Sequence, residues 1–148
     1  MSTTSLRVLL ADDDEDDCIF FREVLKELPV LTELTTVSSG EQLMQLLSKS
    51  ESGFPDVLFL DLNMPRKSGI ECLSEIKHNE KLKHIPVIIY STSLDLNVAN
   101  LLYENGADYY VRKLGDYSKL RKVIHKALTV ADHSGNTQPP KEKFIISV

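Results

Sequence analysis

The stretch "RVLLADDDEDD", Arg7–Asp17, drives a short apolar run straight into six consecutive acids. The run is too short for a helix and does not alternate, which marks a strand covered on both faces. Three further runs read the same way: "DVLFLD" (56–61), "PVIIYS" (86–91) and "DYYVRK" (108–113). A weaker fifth, "ELTTVS" (33–38), carries the Thr and Val of a strand. Between the strands, apolar residues recur with a helical period: Cys18, Phe21, Leu25 and Leu28, then Leu43, Leu46 and Leu47, then Ile70, Leu73 and Ile76. Val98, Leu101 and Leu102 follow, and then Leu120, Val123, Ile124 and Leu128. Strand and helix therefore alternate five times. This order predicts a five-stranded parallel α/β sheet with helices on both faces, doubly wound in the flavodoxin-like manner.

With 148 residues, 42% of them hydrophobic and 26% charged, the chain is long enough for one packed domain and too well balanced for wholesale disorder. The expected division is a domain over residues 1–131 and a C-terminal tail over 132–148, where "DHSGNTQPPKEK" turns polar and Pro-rich. The tail closes on "FIISV" (144–148), read either as a frayed end or as an added strand or docking peptide. A net charge of −5 speaks against a nucleic-acid partner. No apolar stretch approaches the ~20 residues of a membrane span, and the N-terminal apolar run is too short for a signal peptide. A cytoplasmic protein is expected. Cys18 and Cys72 make no metal-spacing pair and are read as core. His78, His84, His125 and His133 are scattered and read as surface residues.

In a doubly wound sheet the ligand crevice lies beyond the carboxyl ends of the strands, where strand order reverses. Asp12 and Asp13 follow the first strand and Asp61 ends the third, so three carboxylates are expected in one crevice. Like charges in contact do not all ionise cheaply without a cation, and an all-oxygen set favours magnesium. The fourth strand stops at Ser91 and the fifth at Lys113. A metal, an ammonium and a hydroxyl around one aspartate are what phosphoryl transfer requires, with Asp61 as nucleophile.

Over residues 6 to about 130 the sequence resembles the receiver domains of two-component response regulators, those of stand-alone chemotaxis-regulator type included. The motifs that carry the resemblance are "LLADDDEDD", "VLFLDLNMPRKSG", "IPVIIYSTS" and "GADYYVRK". The resemblance implies Asp13 as direct magnesium ligand, Asp12 acting largely through water, Asp61 as phosphoacceptor and ligand, and Asn63 as donor of a backbone carbonyl to the metal. It implies Ser91 as the switch hydroxyl, Lys113 as the lysine of the pocket, and Tyr110 as the aromatic that moves inward with Ser91. A histidine kinase or phosphotransfer protein would donate the phosphoryl group, water would slowly remove it, and output would be protein contact, from a monomer or weak homodimer. The family usually places proline after its lysine through a cis bond; here Leu114 follows. A cis bond before a non-proline residue costs about 2.5–4 kcal/mol, so a trans bond and a displaced Lys113 are expected.

Taken singly, these residues are ordinary. Asp14 to Asp17 read as a solvated helix start, with Asp16 or Asp17 as the cap. Asp12, Asp14, Asp16 and Glu23 also nearly spell a calcium loop, but Asp17 stands at the sixth position, where the turn needs glycine. A haloacid dehalogenase-type phosphatase would want a second carboxylate two residues after Asp61, where Asn63 stands. A receiver-like module that binds without being phosphorylated is the remaining alternative.

Overall fold

Unbroken apolar runs become the central strands because the sheet buries both of their faces. The computed structural model describes residues 5–49, 53–133 and 138–147. In it β1 (Leu6–Ala11), β3 (Val57–Leu60), β4 (Val87–Ser91) and β5 (Tyr109–Arg112) lie parallel, with β2 (Thr32–Val37) beyond β1. A sixth strand, β6 (Ile145–Ile146), pairs parallel with β5, giving the order β2-β1-β3-β4-β5-β6. Helices α1 (Glu15–Glu27), α2 (Gly40–Ser48), α3 (Gly69–Lys77), α4 (Leu96–Glu104) and α5 (Tyr117–His133) fill the connections.

Successive strand residues point to opposite faces, so β1 splits its side chains between two cores. Val8 and Leu10 join Phe21, Val24, Phe59, Tyr90, Val123 and Ile124 beneath α1 and α5. Leu9 and Ala11 join Leu43, Leu47, Leu73, Ile76 and Leu102 beneath α2, α3 and α4. Phe21 sets its ring edge-on against Phe59 and Tyr90, with centroids 4.8 and 5.5 Å away. β2 is only half buried, as an edge strand should be, and its side chains alternate accordingly.

The helix stripes differ from expectation at three positions. Leu46, Ile70 and Leu101 are exposed, while Cys72 on α3 and Ala99 on α4 take the inward places. Each of these helices spans 9 residues and carries more apolar residues than its narrow contact with the sheet covers. Cys18 is half buried rather than fully in the core. His78 and His84 are exposed and His125 half-exposed; the side chain of His133, residues 134–137 of the expected linker and Val148 lie outside the described residues.

The C-terminal segment folds back along β5. The Gln138 side-chain amide donates to the Tyr103 and Ala107 carbonyls, each at 2.7 Å, and the Tyr103 hydroxyl donates to the Pro139 carbonyl at 2.7 Å. Phe144 is 3% exposed, its ring edge-on to Tyr103 and Tyr110, and its carbonyl accepts the Tyr110 N–H at 2.9 Å. Among the described residues no helix is long and apolar enough to cross a membrane.

Candidate phosphoryl and metal pocket

The six acids divide their work as soon as β1 ends. Asp12 is buried and accepts the Asp14 N–H on Oδ1 at 2.9 Å, which bends the chain out of the sheet. Asp14, rather than Asp16 or Asp17, caps α1: its carboxylate accepts from the Asp16 and Asp17 N–H groups at 2.9 and 3.2 Å. The cap falls there because a side chain reaches the free N–H groups two and three residues ahead, and α1 begins at Glu15. Glu15, Asp16 and Asp17 then occupy the first turn, where the helix dipole favours negative charge. A strand before this loop and a helix after it exclude the calcium-loop arrangement of two flanking helices.

Strand order reverses between β1 and β3, and the acids meet there. Asp12, Asp13 and Asp61 each offer a carboxylate oxygen within 4.8 Å of the others, with Asp12 and Asp61 buried and Asp13 exposed. Asp61 is held by its backbone, N–H to the Ala11 carbonyl at 2.9 Å, and by the glycine that opens α3. A Cβ on Gly69 would stand 2.2 Å from the Asp61 carbonyl oxygen, so only glycine permits this approach. Ser68 and Glu71 close a capping box at the same helix start. Asn63 is exposed, and its N–H reaches the Asp61 Oδ1 at 3.4 Å.

Lys113 is not displaced. No peptide bond among the described residues is cis, and yet the ammonium sits in the acidic crevice, 2.7 Å from Asp12 Oδ2, 2.9 Å from Asp17 Oδ2 and 3.7 Å from Asp61 Oδ2. Its N–H is tied to the Ser91 carbonyl at 2.7 Å, and Leu114 packs on the core in the place of proline, so the chain direction is set without a cis bond. The Nζ also lies 5.2 Å from the centre of the Tyr90 ring. Asp17 is thus a member of the pocket that the sequence reading assigned to the helix start. Its partner is 96 residues away, and no local spacing encodes that contact.

Burial pushes the Asp61 carboxyl up to about 6. Lys113 opposes that rise and the Asp12 charge adds to it. The lysine compensates poorly because it stands closer to Asp12 and Asp17. Burial alone would depress Lys113, but its contacts with Asp12 and Asp17 carry it above the usual lysine range. The Asp12 Oδ2 makes that close charge contact without an aligned hydrogen bond, and among the described residues it accepts no hydrogen bond from any other group. A buried, underserved carboxylate oxygen beside two more carboxylates suits a hard divalent cation.

Ser91 ends β4, buried, one strand over from Asp61. Tyr110 is buried too; burial raises its phenol, and the neighbouring Ser91 hydroxyl acts against that rise. The phenol donates to the Ser93 carbonyl, so the ring spans from the β4 end to Phe144 of the tail.

A doubly wound sheet with an acidic, lysine-bearing crevice at its switch point defines a domain equipped for metal-assisted handling of phosphoryl groups. Residues 8–125 match the response regulator receiver domain. Response regulator Rcp1 of Synechocystis sp. is 34% identical over 121 residues, which cover 79% of this chain and 82% of that protein. The crystal structure of the phosphorylated cyanobacterial phytochrome response regulator RcpA superimposes with a TM-score of 0.81 at 29% identity, covering 93% of this chain and all of that one. The Mn(2+)-bound form of Rcp1 does so with a TM-score of 0.77 at 30% identity, covering 91% and 99% of the two chains. The chain belongs to the response regulator receiver domain family.

Proposed function

We propose that this protein is a single-domain phosphorylation switch whose acceptor is Asp61. The observation that carries the proposal is the convergence of Asp12, Asp13 and Asp61 within 4.8 Å of one another, with the Lys113 ammonium 3.7 Å from the Asp61 oxygen. The donor is a histidine kinase or phosphotransfer protein: its N–P bond breaks, an O–P bond forms on Asp61, and the imidazole leaves with the electron pair. Asp12, Asp13, Asp61 and the Asn63 carbonyl would hold magnesium, which supplies positive charge against the transferring oxygens. Lys113 adds a second cation, 3.7 Å from the Asp61 Oδ2, and Ser91 a hydroxyl donor.

The new anion draws Ser91 and Lys113 toward it. Tyr110, whose phenol is bonded to the Ser93 carbonyl just beyond Ser91, follows, and the surface around α4 and β5 changes for a partner to read. Receiver domains are signalling switches; the chemistry here is self-limited, one phosphoryl group per chain, lost slowly to water. A cytoplasmic monomer or weak homodimer serves this role.

The test is to incubate the protein with magnesium and acetyl phosphate and to follow its intact mass, with Asp61→Asn in parallel. One added phosphoryl group on the wild type and none on the variant is the expected result. An unmodified wild type under conditions that phosphorylate another receiver overturns the proposal in favour of a phosphorylation-independent binding module. Steady turnover of phosphoesters overturns it in favour of a phosphatase.

A further inference from the structure

We infer that Asp17 is a positioning residue for the phosphoryl chemistry: it anchors the Lys113 ammonium from α1 so that the lysine keeps its place when Asp12 turns to a metal ion. The inference rests on the phosphorylation reading of Asp61 and adds a member to that pocket.

Lys113 has two close carboxylates, Asp12 Oδ2 at 2.7 Å and Asp17 Oδ2 at 2.9 Å. They are not equivalent. Asp12 belongs to the group of three that could share a cation, and Asp17 does not. With a divalent ion held by that group, Asp12 would have less charge to offer the lysine and the ammonium would be repelled as well, so the Asp12 contact would weaken just when the lysine is needed. Asp17 lies outside the group and keeps its hold. Two observations fit an anchor of this kind. Asp17 is fixed in the first turn of α1, its N–H bonded to the Asp14 cap. The lysine side chain is only 9% exposed, so water competes little for it. The backbone fixes where the lysine leaves the strand end, and Asp17 fixes where its ammonium comes to rest.

The experiment measures the initial rate of phosphorylation by acetyl phosphate at saturating magnesium for the wild type, Asp17→Ala, Asp17→Asn, Asp17→Glu, Lys113→Ala and the double variant Asp17→Ala with Lys113→Ala. Loss of the anchor is expected to slow the reaction on the order of ten- to a hundredfold in Asp17→Ala and Asp17→Asn. Asp17→Glu, which restores the charge, should recover most of the rate. The double variant should react no more slowly than Lys113→Ala alone, because Asp17 acts only through the lysine. Asp17→Asn keeps the size of the side chain and covers the case in which alanine weakens the start of α1. Undiminished rates in both Asp17 variants, or losses that multiply in the double variant, overturn the inference while leaving the role of Asp61 intact. A wild type that takes up no phosphoryl group overturns the Asp61 reading itself.

Discussion

Asp61 carries its charge in a place that resists it, and the resistance sets a pH dependence. The carboxyl is raised to about 6 by burial, above its ordinary range, so the folded chain binds this proton more tightly than the unfolded one. The corresponding stability is fully present below about pH 4, where both states are protonated, and is lost as pH rises through 6. Without metal at neutral pH, Asp61→Asn should therefore be more stable than the wild type by something on the order of 1–3 kcal/mol, and unfold at a correspondingly higher temperature. The gap should close toward pH 4. Thermal unfolding in chelator at the two pH values checks this, and a gap that widens on acidification would contradict it. The same residue scale explains what the sequence could not tell. Asp12, Asp13 and Asp61 were legible because strand ends place them at a switch point, whereas the Asp17 contact depends on a lysine far along the chain and on how α1 sits against β5. Lys113 stays in the crevice with a trans bond because its own N–H and the packing of Leu114 fix it.

At the scale of elements, α1 begins where it does because Asp14 closes its first turn. Asp14→Ala leaves the Asp16 and Asp17 N–H groups unpaired and should cost about 1 kcal/mol, within a range of roughly 0.5–2, read as a lower urea midpoint. It should also slow phosphorylation, because Asp17 hangs from the same turn; an unchanged midpoint would mean that water replaces the cap at no cost. β1, β3, β4 and β5 were legible from unbroken apolar runs, the direct result of burial on both faces. β2 was weaker in sequence because an edge strand is half exposed and needs fewer apolar residues. β6 was undecidable: two residues carry no period, and the strand is made by the hydrogen bonds of β5 and the anchoring of Phe144. The stripes that included Leu46, Ile70 and Leu101 failed where a short helix offers more apolar side chains than the sheet can cover.

For the whole molecule, the returning segment ties α4, β5 and the interior together through Gln138, Tyr103, Phe144 and Tyr110. Phe144→Ala removes the ring that holds it, and the segment should detach as a unit without unfolding the domain. Amide exchange is the measurement: the Tyr110 N–H, now bonded to the Phe144 carbonyl, should exchange at least about ten times faster, while amides in β1 and β3 keep their protection. Equal acceleration in β1 would show that the segment and the core open together.

The two sheet margins also decide how this chain behaves in a crowd of its own copies. An open strand margin is a template on which other chains polymerise. At one margin Glu33 and Thr35 of β2 face water, and at the other a two-residue strand offers almost nothing to copy. A chain without the Gln138–Ser147 segment would lose that second guard and bare β5, and it should turn cloudy on storage sooner than the whole chain does.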